Sequence, residues 1–191
     1  MFTFCFLLTI NIICMALLVW IWIAIIKLYT NKHYRECPPY VPSFGIEKKI
    51  IINRTAEILK KTNRKLIILD PGCGCGSLLL KLAKKFPEHQ FIGVEWGKFA
   101  ALIAKFRARK LKNVQILCQD LFEYDFSQID IIVCFLMDTL MEKFGDKVLK
   151  EHKKAQIIIS NTFKIPNLPL YEEIKTGKCL FFKNVYIYKL D

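Results

Sequence analysis

Leu66-Ile67-Ile68-Leu69-Asp70-Pro71-Gly72-Cys73-Gly74-Cys75-Gly76 decides the fold. Four apolar residues without alternation predict a short strand covered on both faces, as in a parallel sheet. An acid follows, then three glycines at alternate positions. Lacking a Cβ, these positions allow positive φ and the close approach of a ligand. Ser77 to Phe86 carries a helical pattern that Pro87 ends. Strand, tight turn and helix are the opening third of a βαβ unit.

Working outward, the same alternation repeats. Residues 46–61 interleave Ile46, Ile50, Ile51, Ile58 and Leu59 with Lys and Glu, which predicts an amphipathic helix. Phe91 to Glu95 reads as a strand, Gly97 to Leu111 as a basic helix, and Val114 to Asp120 as a third strand. Ile129 to Phe135 is a fourth strand, Leu136 to His152 a helix, and Ala155 to Ser160 a fifth strand. Two strand-like runs, 171–175 and 179–190, close the chain on either side of Gly177. The expectation is an α/β fold: a seven-stranded, mostly parallel sheet with helices on both faces and an antiparallel hairpin at one edge.

Lys and Arg number 29 against 17 Asp and Glu, a net charge of +12. That excess suits an acidic partner or a generally Lys-rich solvated surface. The eight cysteines show no framework spacing and read as reduced, small hydrophobes. Cys73 and Cys75 form C-x-C with no second pair or nearby His, so no metal site is expected. His33, His89 and His152 read as surface residues.

Residues 1–26 contain no charged side chain. Phe2 to Ile26 has the length of a membrane-crossing helix, which needs about 20 apolar residues. Trp20 and Trp22 suit an interfacial anchor. A cleaved signal peptide fits worse, because no basic region precedes the run and no small-x-small site follows. Lys27, Lys32, Arg35, Lys48 and Lys49 all follow it, which places the folded domain on the cytoplasmic side. The expected layout is an anchor at 1–27, a Pro-rich segment at 28–45 and a domain at 46–191. The expected location is single-pass in a membrane. A bacterial inner membrane is preferred to a mitochondrial one, as no Arg-rich presequence is present.

Asp70, Glu95 and Asp120 stand at the carboxyl ends of the first three strands. Ligands of open parallel sheets bind at those ends, where the strand order reverses. A phosphate cradle wants Lys and few acids, and no G-x-x-x-x-G-K-[ST] is present. Acids here suit hydroxyls, amines and cations. Glu95 lies near the distance from the turn at which an acid meets ribose hydroxyls in nucleotide-binding units.

This pattern resembles the class I S-adenosylmethionine-dependent methyltransferases, whose first motif D/E-x-G-x-G-x-G is matched by Asp70 to Gly76. The resemblance covers about residues 46–191. It implies a Rossmann-like fold with S-adenosylmethionine as cofactor. Gly72, Gly74 and Gly76 would let the backbone approach the methionine part, and Asp70 would lie beside its amino group. Glu95 would take the ribose hydroxyls, Trp96 would flank the adenine, and Asp120 would accept from the adenine amino group with Leu121 beside it. A dinucleotide-binding G-x-G-x-x-G fits in neither frame, since Leu79 or Ser77 stands where its last glycine belongs.

Tyr40-Val41-Pro42-Ser43 before the core and Leu140-Met141-Glu142-Lys143 after strand four resemble one group in particular. These are the membrane-tethered protein-lysine methyltransferases acting on the mitochondrial ADP/ATP translocase and ATP synthase c subunit, with their prokaryotic relatives. By that resemblance Pro42 and Ser43 help close the cofactor site. The catalytic residue stays unassigned, with Asp138 and Tyr40 as candidates. Cys75 departs from the group, which usually has an acid there, and so does Pro71. The implied reaction is methylation of lysine in a protein at or near a membrane. RNA or a membrane-borne small molecule is the alternative acceptor, although strand four is followed by Phe135-Leu136-Met137-Asp138 and not N/D-P-P-Y/F. A non-catalytic cofactor-binding scaffold fits least, because all three acids and all three glycines are present.

Overall fold

The computed structural model describes residues 13–23, 45–176 and 184–190. The chain divides into two units, Met1–Pro39 and Tyr40–Asp191. In the first, residues 13–23 are helical with exposed side chains.

That helix corrects the expected membrane topology. Among the described residues, no helix is long and apolar enough to cross a membrane. Crossing a hydrocarbon core ~30 Å thick takes about 20 apolar helical residues. The transmembrane anchor, and with it the single-pass location with a cytoplasmic domain, is therefore not supported. The remainder of the expected run, 2–12 and 24–26, lies outside the described residues.

The second unit carries seven strands: β1 (Ile67–Pro71), β2 (Gln90–Glu95), β3 (Val114–Cys118), β4 (Ile131–Cys134), β5 (Gln156–Asn161), β6 (Leu170–Lys175) and β7 (Asn184–Leu190). Four helices accompany them: α1 (Gly45–Lys60), α2 (Leu79–Lys85), α3 (Lys98–Ala108) and α4 (Asp138–Glu151). The strand order is β3-β2-β1-β4-β5-β7-β6. The first five strands run parallel, and β7 pairs antiparallel with both β5 and β6. This is the expected Rossmann-like sheet, mostly parallel with an antiparallel edge. Its order reverses between β1 and β4, the point at which open sheets bind ligands.

One face of the sheet is covered by α1, α2 and α3, with Ile51, Leu79, Leu82 and Phe91 fully buried. The other is covered by α4 and the 163–168 segment, around Phe126, Phe144 and Tyr188. The helix α3 presents its small residues inward. Ala101, Ala104 and Ala108 are buried, while Phe99 is 77%, Leu102 63% and Phe106 64% exposed. Small side chains let the helix lie close to the turn after β1, where a Cβ on Gly76 would stand 3.5 Å from that of Ala104.

Gly93 shows how tightly the sheet meets that turn. A Cβ there would lie 2.7 Å from Cys73 Sγ, 2.8 Å from Ile116 Cδ1 and 3.0 Å from Leu79 Cδ2. Gly93→Ala is expected to destabilise the domain by about 1–3 kcal/mol through overpacking. A urea titration that leaves the midpoint unchanged would contradict this packing.

His89 is a second correction. It is buried (2% exposed), and its Nδ1 accepts a hydrogen bond from the Leu66 N–H at 3.2 Å. The backbone at the start of β1 needs an acceptor there, which draws the ring inside. His152 is half-buried, and His33 lies outside the described residues.

Candidate functional site

The site begins inside β1. Asp70 and Pro71 belong to the strand, pairing with Gly93 and Val94 of β2. Proline has no N–H to offer the ladder. The next two residues supply the connection: Gly72 N–H and Cys73 N–H both donate to Val94 O, at 2.7 and 3.0 Å. Gly76 N–H then donates to Cys73 O at 2.8 Å, which closes the turn. Gly72 has φ +92°, and a Cβ on it would meet Leu136 at 3.0 Å. Both facts require glycine at this exposed bend. Gly74 and Gly76 also have positive φ.

Glu95 ends β2 and ties the turn to the helix beyond it. Its Oε2 accepts from Gly74 N–H and its Oε1 from Gly97 N–H, each at 2.7 Å. Gly97 is the N-cap of α3. A carboxylate offers about four lone-pair sites, so two remain for outside donors.

Asp70 is buried, with 4% exposure, and no donor hydrogen-bonds its carboxylate among the described residues. Burial, with Glu95 nearby, pushes its pKa up to about 8, while Lys48 pulls the other way. Cys73 is also buried, and burial together with Asp70 and Glu95 pushes its thiol far up, so it remains protonated. Burial likewise raises Cys134 to about 12, and it sits in the core.

Trp96 follows Glu95 and is 46% exposed. Asp120 lies two residues beyond β3, where its Oδ1 accepts from Phe122 N–H at 2.9 Å, and Leu121 beside it is half-buried. Strand pairing extends through Gln119 N–H to Glu95 O at 3.2 Å. Asp70, Glu95, Trp96, Asp120 and Leu121 thus share one sheet edge with Gly72, Gly74 and Gly76. Asp138 opens α4 after β4. It is exposed, and its Oδ1 accepts from Thr139 N–H. Tyr40, Pro42 and Ser43 lie outside the described residues.

Sequence reasoning missed three groups at this edge. Lys48 of α1 donates from Nζ to Ser77 Oγ at 3.1 Å, just after the glycine turn. Arg107 of α3 donates to Cys75 O at 2.6 Å. Beyond β4 and β5, Phe135 and Phe163 stack with ring centroids 6.3 Å apart and planes 8° from parallel. Between them in sequence, Thr162 has φ +70°, strained for a β-branched residue, beside buried Asn161. Ser160-Asn161-Thr162, a polar run ending an apolar strand, was the available signal. Among the described residues, no cluster of His, Cys, Asp and Glu has the arrangement of a metal site.

The arrangement offers a buried acid for a cation, an oriented carboxylate for a diol, a glycine bend open to a ligand, and apolar side chains beside them. These features fit S-adenosylmethionine group by group: ammonium, ribose and adenine.

Residues 70–172, just over half of the chain, match a family model described as the ANTKMT methyltransferase domain. A protein-lysine N-methyltransferase of Saccharolobus islandicus is 28% identical over 153 residues, covering 78% of this chain and 94% of the relative. A tRNA (guanine-N(7)-)-methyltransferase of Mannheimia succiniciproducens is 33% identical over 82 residues, 42% of this chain and 32% of that protein. The chain therefore spans nearly all of the first relative and about a third of the second. Among solved structures, an RNA methyltransferase from Salinibacter ruber in complex with S-adenosyl-L-homocysteine superposes with a TM-score of 0.65. It shares 18% identity and covers 78% of this chain and 94% of its own, a likeness of fold.

Proposed function

The chain belongs to the ANTKMT methyltransferase domain family, and on that premise we propose that it methylates lysine side chains of a protein substrate. It is an S-adenosylmethionine-dependent methyltransferase. The observation that carries the lysine reading is the similarity to a protein-lysine N-methyltransferase over 94% of that protein's length.

When bound, S-adenosylmethionine supplies an electrophilic methyl group on its sulfonium. Asp70 holds the ammonium of the methionine part. Glu95, already oriented by Gly74 and Gly97, turns its remaining lone pairs to the ribose diol. Asp120 accepts from the adenine amino group, between Trp96 and Leu121. The acceptor enters from the β4 and β5 side, past Phe135, Phe163 and Asp138. A lysine amine has an ordinary pKa of ~10.4, so the edge would have to favour its neutral form and hold it in line for transfer. Asp138 and Tyr40 are the candidates to orient it.

The test is to incubate the full chain and methyl-labelled cofactor with soluble-protein, membrane, RNA and lipid fractions. Label is expected in protein and, after acid hydrolysis, in methyl-lysine. Label confined to RNA or lipid would sink the lysine reading. RNA is the competing acceptor. It is favoured by residues 97–112, which hold six cations and no acid, and by the partial likeness to a tRNA methyltransferase.

A further inference from the structure

We propose that Lys48 binds the α-carboxylate of the cofactor's amino-acid end, so that the site selects cofactors that retain this carboxylate. The inference rests on the S-adenosylmethionine reading of the site. The amino-acid end carries a cation and an anion on one carbon, and a site that admits it must answer both. Asp70 answers the ammonium.

The glycine turn, Pro71 to Gly76, has no cationic side chain with which to answer the carboxylate. Its N–H groups at Gly72 and Cys73 go to Val94 O, that of Gly74 to Glu95, and that of Gly76 to Cys73 O. Four donors of the turn are thereby committed within the fold. The two acids nearby, Asp70 and Glu95, would repel an anion. A donor with positive charge has to come from another element, and α1 supplies one. Lys48 Nζ lies 3.1 Å from Ser77 Oγ, directly after the last glycine. An ammonium has three N–H donors. One goes to Ser77, which leaves two, and the Ser77 hydroxyl hydrogen remains available because its oxygen is the acceptor in that bond. A carboxylate placed there meets both groups.

The charge balance points the same way. Lys48 is half-buried, and among the described residues no carboxylate lies within ion-pair distance of it. Burial, Lys81 and Arg107 hold its pKa below the ordinary lysine value, with Asp70 opposing. An anion between Lys48 and Ser77 would offset that excess of positive charge.

A lysine that served only to fasten α1 to the turn would affect every ligand of the site alike. The experiment is therefore a comparison of two ligands by titration calorimetry on the full chain. One is S-adenosylhomocysteine. The other is S-adenosyl-3-thiopropylamine, which keeps the amine and lacks the carboxylate. The wild type is expected to prefer the first by about 10- to 100-fold, the range for a hydrogen bond between charged groups. Lys48→Met should weaken S-adenosylhomocysteine by that factor and leave the amine unchanged. An equal loss for both ligands, or no loss for either, overturns the assignment. If the wild type binds neither, the cofactor reading itself falls. Should the Met variant not fold, Lys48→Gln makes the same comparison.

Discussion

Replacing Asp70 with Asn is expected to raise stability and abolish tight cofactor binding in the same protein. Asp70 lies buried at the end of β1, and burial with Glu95 raises its pKa from 3.8 to about 8 against the pull of Lys48. The folded chain thus keeps a proton that the unfolded chain releases near pH 3.8. Between these values the folded state binds more protons, so stability falls as pH rises. The favourable contribution is complete below pH 3.8 and is lost once pH passes about 8. Asn cannot ionise and escapes this loss. The stability of Asp70→Asn, read from thermal unfolding, should gain on the wild type from pH 5 to pH 9, in total by a few kcal/mol. A difference that stays flat across that range would contradict the buried, proton-holding acid.

Binding obeys the opposite sign. A cofactor ammonium selects the ionised carboxylate, so association below pH 8 releases the proton. Wild-type affinity for S-adenosylhomocysteine should then rise by up to about tenfold per pH unit between pH 6 and 8 and level off above. Asp70→Asn should lose both that slope and about 100-fold in affinity at pH 8, as charged hydrogen bonds are the strong ones. Calorimetric titrations across the pH series read both quantities.

Much of this site is legible in the chain because it depends on local chemistry. Asp70 to Gly76 needs only its own residue types to announce a strand, a bend and a helix. Glu95 and Asp120 are found by following the strands to their ends. Pro71 is harder. It reads as the start of the turn, yet it pairs with Val94 inside the sheet, because Gly72 and Cys73 replace the missing donor. Lys48 is one of 29 cations, and nothing local separates it from the rest. Only the folding of α1 onto β5 and β7 puts it beside Ser77.

In α3 side-chain size matters more than polarity. The helix turns Ala101, Ala104 and Ala108 to the sheet and leaves Phe99, Leu102 and Phe106 exposed. Close approach to the glycine turn favours the small face. At the other end of the chain, a run without charges suggested a membrane span, whereas among the described residues no helix is long and apolar enough to cross a membrane.

Glu95 is where structure and cofactor make competing demands, and its substitutions should separate them. Glu95→Ala removes the acceptor of Gly74 N–H and of Gly97 N–H together. Gly74 is buried, and unpaired donors there are costly. A loss of about 2–4 kcal/mol is expected, seen as a lower urea midpoint. Glu95→Gln is the sharper probe. Its carbonyl oxygen can still accept from one of the two N–H groups, but its amide nitrogen faces the other as a second donor. The fold should survive with a smaller loss, about 1–2 kcal/mol. The ribose diol, itself a pair of donors, then lacks a charged acceptor. S-adenosylhomocysteine should bind about 100-fold more weakly, while its 2′-deoxy analogue, which lacks one of the two hydroxyls, should lose less. The wild-type preference for ribose over deoxyribose should therefore shrink in Glu95→Gln. If both ligands weaken by the same factor, Glu95 acts only by holding the turn to α3, and the ribose contact must be sought in another side chain. If the preference shrinks, one carboxylate both shapes the glycine turn through Gly74 and reads the ribose that the turn admits.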